Sequence, residues 1–495
     1  MPLEKIDFTQ EREFVDLSFR HQEKGPVSTF NKAVDKETIR NSAIETGHIE
    51  GNFQFAGPYA DSQQKKVRQE MFRLKGLINI MGDTLSADIR DLPPGAQSYR
   101  LFAERVLQEA VLVEAARRAG FAAAIVNNDP RAALVGRGEA NDDIESCRRL
   151  MAESMEMLYP KPDREMALDN LGLFHSRLDG LMNDDRTRHF AEKILADYPF
   201  LAEAAGRQPE VLKPEKQAEI KNYFGEKFDP IFATVNSEID EVNNDNLTEA
   251  VKIVMSELGY LAQGWRVIYV GKQRVGFYVD PASRTIEVGE RTKPITREVF
   301  EKLMIHEVGV HVTRSANAYA NSHSTAATGW LDYEGAEEGI AMISEKSWAG
   351  KASQASPIER DNYRYIIGAY GSGAIDGQPH SADKAYQLAI KLSMINDLSN
   401  LIKADEAIDD AKAEVKARND VFEHVFRFYR GMPDGLVMIK DIVYYDGFQR
   451  MVKLFNQSGR PVKEVLDELM RGKYNPFIPL QAEVMDALYD NQSFS

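Results

Sequence analysis

One short window of this chain has the texture of β-structure, and it leads straight into a segment carrying two histidines. Residues 266–270 and 275–279 are β-rich runs with Gly271-Lys272-Gln273 between them as a hairpin turn, and 284–288 follows Asp280-Pro281 as a third strand. Thr296 is placed to N-cap the next helix, whose dipole favours Glu298 in its first turn. That helix continues through Val299, Phe300, Leu303 and Met304 to His306. From 62 to 228 the pattern is helical instead. Val67, Met71, Leu74, Leu77 and Ile78, then Leu101, Val106, Ala110 and Val113, recur at three- and four-residue spacing. Pro93-Pro94-Gly95, Tyr159-Pro160-Lys161-Pro162 and Lys213-Pro214 punctuate it as turns. Residues 47–59, rich in glycine and aromatics without a period, read as part of an irregular arm, and from Asp383 onward the helical texture returns. The pattern predicts a predominantly helical α+β fold with a small antiparallel sheet next to the histidine-bearing helix. It divides the chain into an arm over 1–61, a large helical region over 62–235 and a third part over 236–495.

Bulk properties narrow the function. The net charge of −16, from 61 basic and 77 acidic residues, argues against nucleic-acid partners, which need a basic surface to displace counterions. Cys147 is the one cysteine, so the chain can form neither an internal disulfide nor a cysteine metal site. That cysteine usage fits a reducing, cytoplasmic setting. The N-terminus lacks a basic region followed by an apolar core, and the most apolar stretch, 110–126, is broken by Glu114, Arg117 and Arg118. No membrane association is expected.

The chemistry concentrates in Ile305-His306-Glu307-Val308-Gly309-Val310-His311 and in Glu337-Glu338-Gly339-Ile340-Ala341. A catalytic zinc takes three protein ligands and leaves one position for water, whose pKa it lowers, while a nearby glutamate serves as general base. Two histidines four apart share a helical face; here they are five apart, which turns the second away by about 100° on a regular helix. A π-bulge would absorb the extra residue, and Gly309 makes such a distortion cheaper. Glu307 is then the base. Glu338 is the best third ligand, because 332–347 reads as a helix on which Glu338, Met342 and Glu345 share a face. Glu337 points elsewhere and is placed to steady a histidine or Glu338. Glu334 competes for the ligand role, although a solvated charge is its commoner fate, and His323 reads as a loop residue.

Together these strings resemble the QEGLA-motif zinc peptidase family, which includes the microtubule-associated tyrosine carboxypeptidases and bacterial tyrosine/phenylalanine carboxypeptidases. The resemblance covers His306 to His311, Arg314 and Asn317 just after them, and Glu337-Glu338-Gly339-Ile340-Ala341 in the QEGLA place, with Glu337 standing where the motif has Gln. It resumes at Arg427-Phe428-Tyr429-Arg430-Gly431 and at the segment from Lys440-Asp441 to Gly447. It implies a zincin-type catalytic domain over 236–495, Zn2+ on His306, His311 and Glu338, and water activation by Glu307. Glu337 and Asn317 would support the ligands. The implied reaction removes a C-terminal aromatic residue, Tyr or Phe, from a peptide or protein. A carboxypeptidase must neutralise the substrate's terminal carboxylate and stabilise an oxyanion. Arg314, Arg427, Arg430, Lys440 and Tyr444 are the candidates for those tasks.

Two other readings use the same residues. The strings also resemble the dipeptidyl-peptidase-III pair of motifs, which implies release of dipeptides from N-termini. Gly309 stands one place early for that pattern, and the Cys-Arg after its glutamate pair is missing. The other reading is an inactive zinc-binding regulatory scaffold, against which the intact Glu307 argues.

Overall fold

A computed structural model describes residues 36–49, 88–126, 137–239, 242–243, 245–272, 276–290, 295–353, 358–430, 432 and 435–490. Most of the 1–61 arm, the periodic run from Val67 to Ile78, Gln273 and Gly431 lie outside them. The first half is helical: α1 Lys36–Thr46, α2 Pro94–Val126, α3 Arg137–Leu158, α4 Arg164–Met182, α5 Arg188–Asp197, α6 Phe200–Glu203, α7 Pro214–Glu238 and α8 Leu247–Glu257. Three strands follow: β1 Arg266–Gly271, β2 Phe277–Asp280 and β3 Thr285–Gly289. Then come α9 Arg297–His306, a π-helical turn Glu307–Val312, α10 Thr313–Ala320, α11 Ser324–Thr328 and α12 Glu334–Trp348. The remainder is α13 Arg360–Gly371, α14 Ala382–Lys403, α15 Asp410–Tyr429, a 3-10 turn Ile439–Ile442, α16 Val443–Gln457, α17 Val462–Leu469 and α18 Pro479–Asp490. The predominantly helical α+β architecture is as the sequence predicts. No helix among the described residues is long and apolar enough to cross a membrane.

The sheet differs from the expected hairpin meander. Its order is β1-β3-β2, with β1 parallel to β3 and β2 antiparallel to it. It is therefore mixed rather than antiparallel. The β3 segment inserts between the other two, with Ile286 and Val288 buried and the ladder pairing Val267 with Ile286 and Val279 with Ile286. Burial on both sides favours the apolar strand at the centre.

Packing does not divide at residue 236 either. One hydrophobic core joins α2 to α6 with α13, α14 and α15, so the helices from Arg360 to Tyr429 belong with the N-terminal ones. A second joins α7, α8, β3, α9, the π-turn, α12, α16 and α17. α7 lies before the expected boundary, yet its stripe of Phe224, Phe228 and Phe232 reaches Phe300 of α9 and Trp348 of α12. Phenylalanines four apart on one helical face form a floor under the histidine-bearing segment. A smaller cluster fastens the start of α2 to α11 and α18 around buried Trp330.

α12 and α16 cross backbone to backbone. A Cβ on Gly447 would stand 1.9 Å from the Gly335 carbonyl oxygen, and one on Gly339 would stand 2.3 Å from the Gly447 carbonyl oxygen. Gly335 and Gly339 share one face of α12, and Gly447 fills the groove between them. Small residues four apart are what a crossing this close demands. Gly447→Ala must push the helices apart, and overpacking a core costs about 1–3 kcal/mol or more. We expect the variant to lose about 3 kcal/mol in urea unfolding; an unchanged midpoint would contradict the crossing.

Asp332 adopts φ +54 just ahead of α12. Burial raises its carboxyl to about 7, with Arg450 opposing the rise. Its Oδ2 accepts from Asn475 Nδ2 at 3.0 Å, while its buried Oδ1 has no hydrogen-bond partner. The folded value lies above the ordinary 3.8. Folding therefore favours the protonated form, and that stabilisation is full at low pH and lost as pH rises through the folded value. Asn also tolerates positive φ. Asp332→Asn should thus be more stable than wild type by roughly 2 kcal/mol at about pH 8, with the gain shrinking toward about pH 5. Asp446, raised to about 6 by burial, keeps part of the slope. Urea unfolding at both pH values tests this, and parallel pH slopes would refute it.

Candidate metal centre

The five-residue interval between the histidines is accommodated by the π-turn. α9 starts from the Thr296 hydroxyl, which accepts the Val299 N–H at 3.3 Å, and ends at His306. The next six residues, Glu307–Val312, widen into π geometry before α10 resumes. In a π-turn residues five apart lie one above the other. The two imidazoles consequently meet with ring centroids 4.9 Å apart at an interplanar angle of 70°. The distortion is held in place at Thr313. Its hydroxyl donates to the Val308 carbonyl at 2.8 Å and lies 2.7 Å from the Tyr260 hydroxyl. Gly309 serves packing rather than an unusual backbone angle: a Cβ there would come within 3.3 Å of Phe224 and Phe228.

Glu338 reaches this pair from α12. Its Oε2 lies 3.5 Å from His306 Nε2 and 3.8 Å from His311 Nε2. The three donor groups fall within 4.8 Å of one another. Glu338 Oε2 is buried without a hydrogen bond among the described residues. A buried carboxylate oxygen facing two imidazole nitrogens and bonded to neither is costly unless something shared satisfies all three. Two nitrogens and one oxygen are a donor set for zinc with a position left open, so the residues present fit the metal.

Each imidazole has a carboxylate beside its Nδ1. His311 Nδ1 lies 2.7 Å from Glu337 Oε1. His306 Nδ1 lies 3.0 Å from Glu345 Oε2, outside hydrogen-bond geometry, and Lys302 stands 3.5 Å from Glu345. A carboxylate on Nδ1 fixes the proton there and leaves the Nε2 lone pair for a metal. Glu337 is 3% exposed and is neutralised by Lys473 at 2.7 Å and by an ion pair with Arg314. Burial pushes its carboxyl upward, but Lys473, Arg314 and His311 outweigh this and hold it below the ordinary range. Glu338 is likewise held down, with His311 and His306 overcoming burial. Glu307 stands half-buried on the π-turn, beside the converging donors rather than among them.

The other candidates are distributed differently. Arg314 is not a substrate ligand: it is wholly buried, and its guanidinium donates to Leu469 O, Tyr474 O and Glu337. Asn317 has no hydrogen bond to the histidines or Glu338 among the described residues; its amide donates to Met470 O at 2.9 Å. Glu334 is removed from competition as a ligand by Lys440, which lies 3.0 Å from it, and that pairing also occupies Lys440. Arg427 holds Asp441 with two hydrogen bonds and keeps about a third of its side chain exposed. Arg430 is buried, and desolvation together with Arg427 brings it down to about 10. Tyr444 is the candidate drawn to the centre. The Glu338 carboxylate is the largest influence raising its phenol, followed by burial, and Asp441, Lys440 and Arg427 also act on it. It therefore remains an O–H donor. His323 packs against Tyr489 of the third cluster, with ring centroids 5.5 Å apart and tilted by 55°.

Sequence reasoning missed two site residues. Glu345 shares a helical face with Glu338, and a carboxylate two turns on is the signal that points to it. Lys473 carried no such signal, because its partner is distant in sequence.

No protein-family model matches the chain, and no curated protein matches it significantly.

Proposed function

We propose that this chain is a zinc-dependent metallocarboxypeptidase of the QEGLA-motif kind, acting in the cytoplasm on the C-terminal residue, Tyr or Phe, of a peptide or protein. One observation carries the reading: His306 Nε2, His311 Nε2 and the unpartnered Glu338 Oε2 converge across a π-turn that also carries Glu307. Zinc bound by these three residues would supply Lewis acidity and a water of lowered pKa. The Glu307 carboxylate takes a proton from the attacking water as its oxygen adds to the scissile carbonyl carbon. It returns that proton to the departing nitrogen as the C–N bond breaks. The Tyr444 hydroxyl donates to the oxyanion that forms in between. Glu337 accepts the Nδ1 proton of His311 and so leaves its Nε2 facing the centre, while Glu345 supplies negative charge beside His306 Nδ1. Arg427, partly exposed and adjacent to Tyr444 in charge if not in contact, is the best-placed cation for a substrate carboxylate, with Arg430 behind it.

The test is a panel of peptides with varied C-terminal residues, each also made N-acetylated or C-amidated, digested with and without chelator and read by mass spectrometry. We expect loss of a single C-terminal residue that amidation blocks, acetylation spares and chelation stops. Cleavage that survives amidation and disappears on acetylation would show an N-terminal exopeptidase. Protein that binds no zinc and cleaves nothing would leave the scaffold reading.

A further inference from the structure

A recess of about 590 Å³ opens where the start of α4, residues 197–203 and residues 370–377 meet. Phe200, Tyr370 and Ile375 in its wall belong to the first core, whereas the histidine-bearing segment packs in the second. Three aromatic rings line it. The Phe200 centroid lies 5.8 Å from that of Tyr198 and 5.7 Å from that of Tyr370, with the rings tilted by 58° and 48°. Besides the two tyrosine hydroxyls, its polar side chains are Arg164, Asp197, Glu203 and Asp376. Arg164 is already neutralised: it lies 2.6 Å from Glu203 Oε2, and its Nε donates to the Ile375 carbonyl at 2.9 Å. Two carboxylates remain. Asp197 is exposed and makes no hydrogen bond or ion pair among the described residues. Asp376 lies 2.7 Å from His380 Nε2 and accepts the Gln378 N–H at 3.3 Å, while its side chain stays 32% exposed. Tyr370 is 6% exposed and stacks on His380, yet its hydroxyl has no hydrogen-bond partner among the described residues. That oxygen is not sealed in the core, so the recess is where a partner can reach it. Burial raises both phenols, with Asp376 adding to the rise at Tyr370, and Tyr370 and Asp197 at Tyr198. Both hydroxyls therefore stay protonated, within electrostatic reach of the two carboxylates.

We propose that this recess binds a linear aliphatic diamine. Its two carboxylates come from the two segments that frame it, 197–203 and 370–377, and neither is paired with a lysine or arginine among the described residues. An ammonium group at each end of the ligand meets one of them, and the hydroxyl oxygens of Tyr370 and Tyr198 accept further N–H bonds. The rings of Tyr198, Phe200 and Tyr370 cover the methylenes in between, and their faces attract the adjoining positive charge. A monoamine of the same length would leave one carboxylate without a counter-charge. A neutral diol would leave both. An anion would be repelled. The site stands apart from the metal and does not rest on the proposed hydrolysis.

Isothermal titration of the full chain at low ionic strength with 1,4-diaminobutane, butylamine and 1,4-butanediol tests it, since the three share one carbon chain and differ in charge. We expect saturable binding of the diamine in the millimolar range or tighter, roughly tenfold weaker binding of butylamine, and no saturation with the diol. Asp197→Asn and Tyr370→Phe should each weaken the diamine about threefold. Asp197 is exposed and bonds to nothing among the described residues, so its variant keeps the test valid should Tyr370→Phe disturb the packing on His380. Absence of saturable diamine binding overturns the proposal. So does butylamine or the diol binding as tightly as the diamine. Diamine affinity unchanged in Asp197→Asn overturns it too, because the ligand would then sit elsewhere, the metal cleft included. No activity is measured, so the outcome leaves the peptidase reading to its own test.

Discussion

Glu307→Gln should retain zinc at wild-type stoichiometry and lose turnover by on the order of 10³-fold. The substitution keeps the size and hydrogen-bonding length of the side chain but removes its ability to take up a proton. Glu307 is outside the three converging donors, so nothing that holds the metal changes. Glu338→Ala should behave oppositely at the metal. It removes one of three ligands and leaves two imidazole nitrogens with no third donor, so zinc content and activity should fall together. Metal analysis after gel filtration, paired with initial rates on a C-terminal Phe peptide, separates the two outcomes. Zinc-loaded and active Glu307→Gln protein would remove the assigned base. Zinc retained in Glu338→Ala would remove the assigned ligand.

The π-turn was legible because the chemistry of the residues conflicted with regular geometry. His306 and His311 cannot face one metal from an ordinary helix, so either they were unrelated or the backbone had to widen, and it widens over Glu307–Val312. Glu338 was legible through helical spacing. Strand pairing was not. The turn residues after β1 fitted a hairpin, and Gly271 does take φ +56, but local residues do not encode which strand fills the neighbouring position, and β3 fills it. Nor did charge reveal burial. Arg314 had the look of a substrate fork because its partner Glu337 lies 23 residues away and the carbonyls it holds lie beyond residue 468. The packing that runs across residue 236 was hidden for a related reason. The aromatic stripe of α7 was readable as an apolar face, while the helix it would cover was not. Gly335 and Gly339, four residues apart, carry a readable signal for a close helix crossing, but its partner Gly447 is more than 100 residues away.

Arg314→Met should be the most destabilising single change at the centre, costing about 3–5 kcal/mol. The side chain is fully buried and engages three acceptors, so its removal leaves the carbonyls of Leu469 and Tyr474 without that donor inside the core. It also leaves Glu337 with Lys473 as its remaining cationic partner, while His311 still depends on Glu337 for its orientation. The loss should therefore appear twice, as a lower urea midpoint and as zinc affinity reduced about 10–100-fold, the range for removing an outer partner of a ligating histidine. Glu337→Gln added to Arg314→Met should recover part of the stability, since a neutral amide needs no counter-charge, and the cycle should show a coupling of more than about 1 kcal/mol. It should not recover zinc affinity, because an amide is a weaker acceptor for the His311 Nδ1 proton than a carboxylate. Additive stability losses would mean that Arg314 acts through the two carbonyls alone. Zinc affinity unchanged in Arg314→Met would show that Lys473 by itself keeps Glu337 in place behind His311.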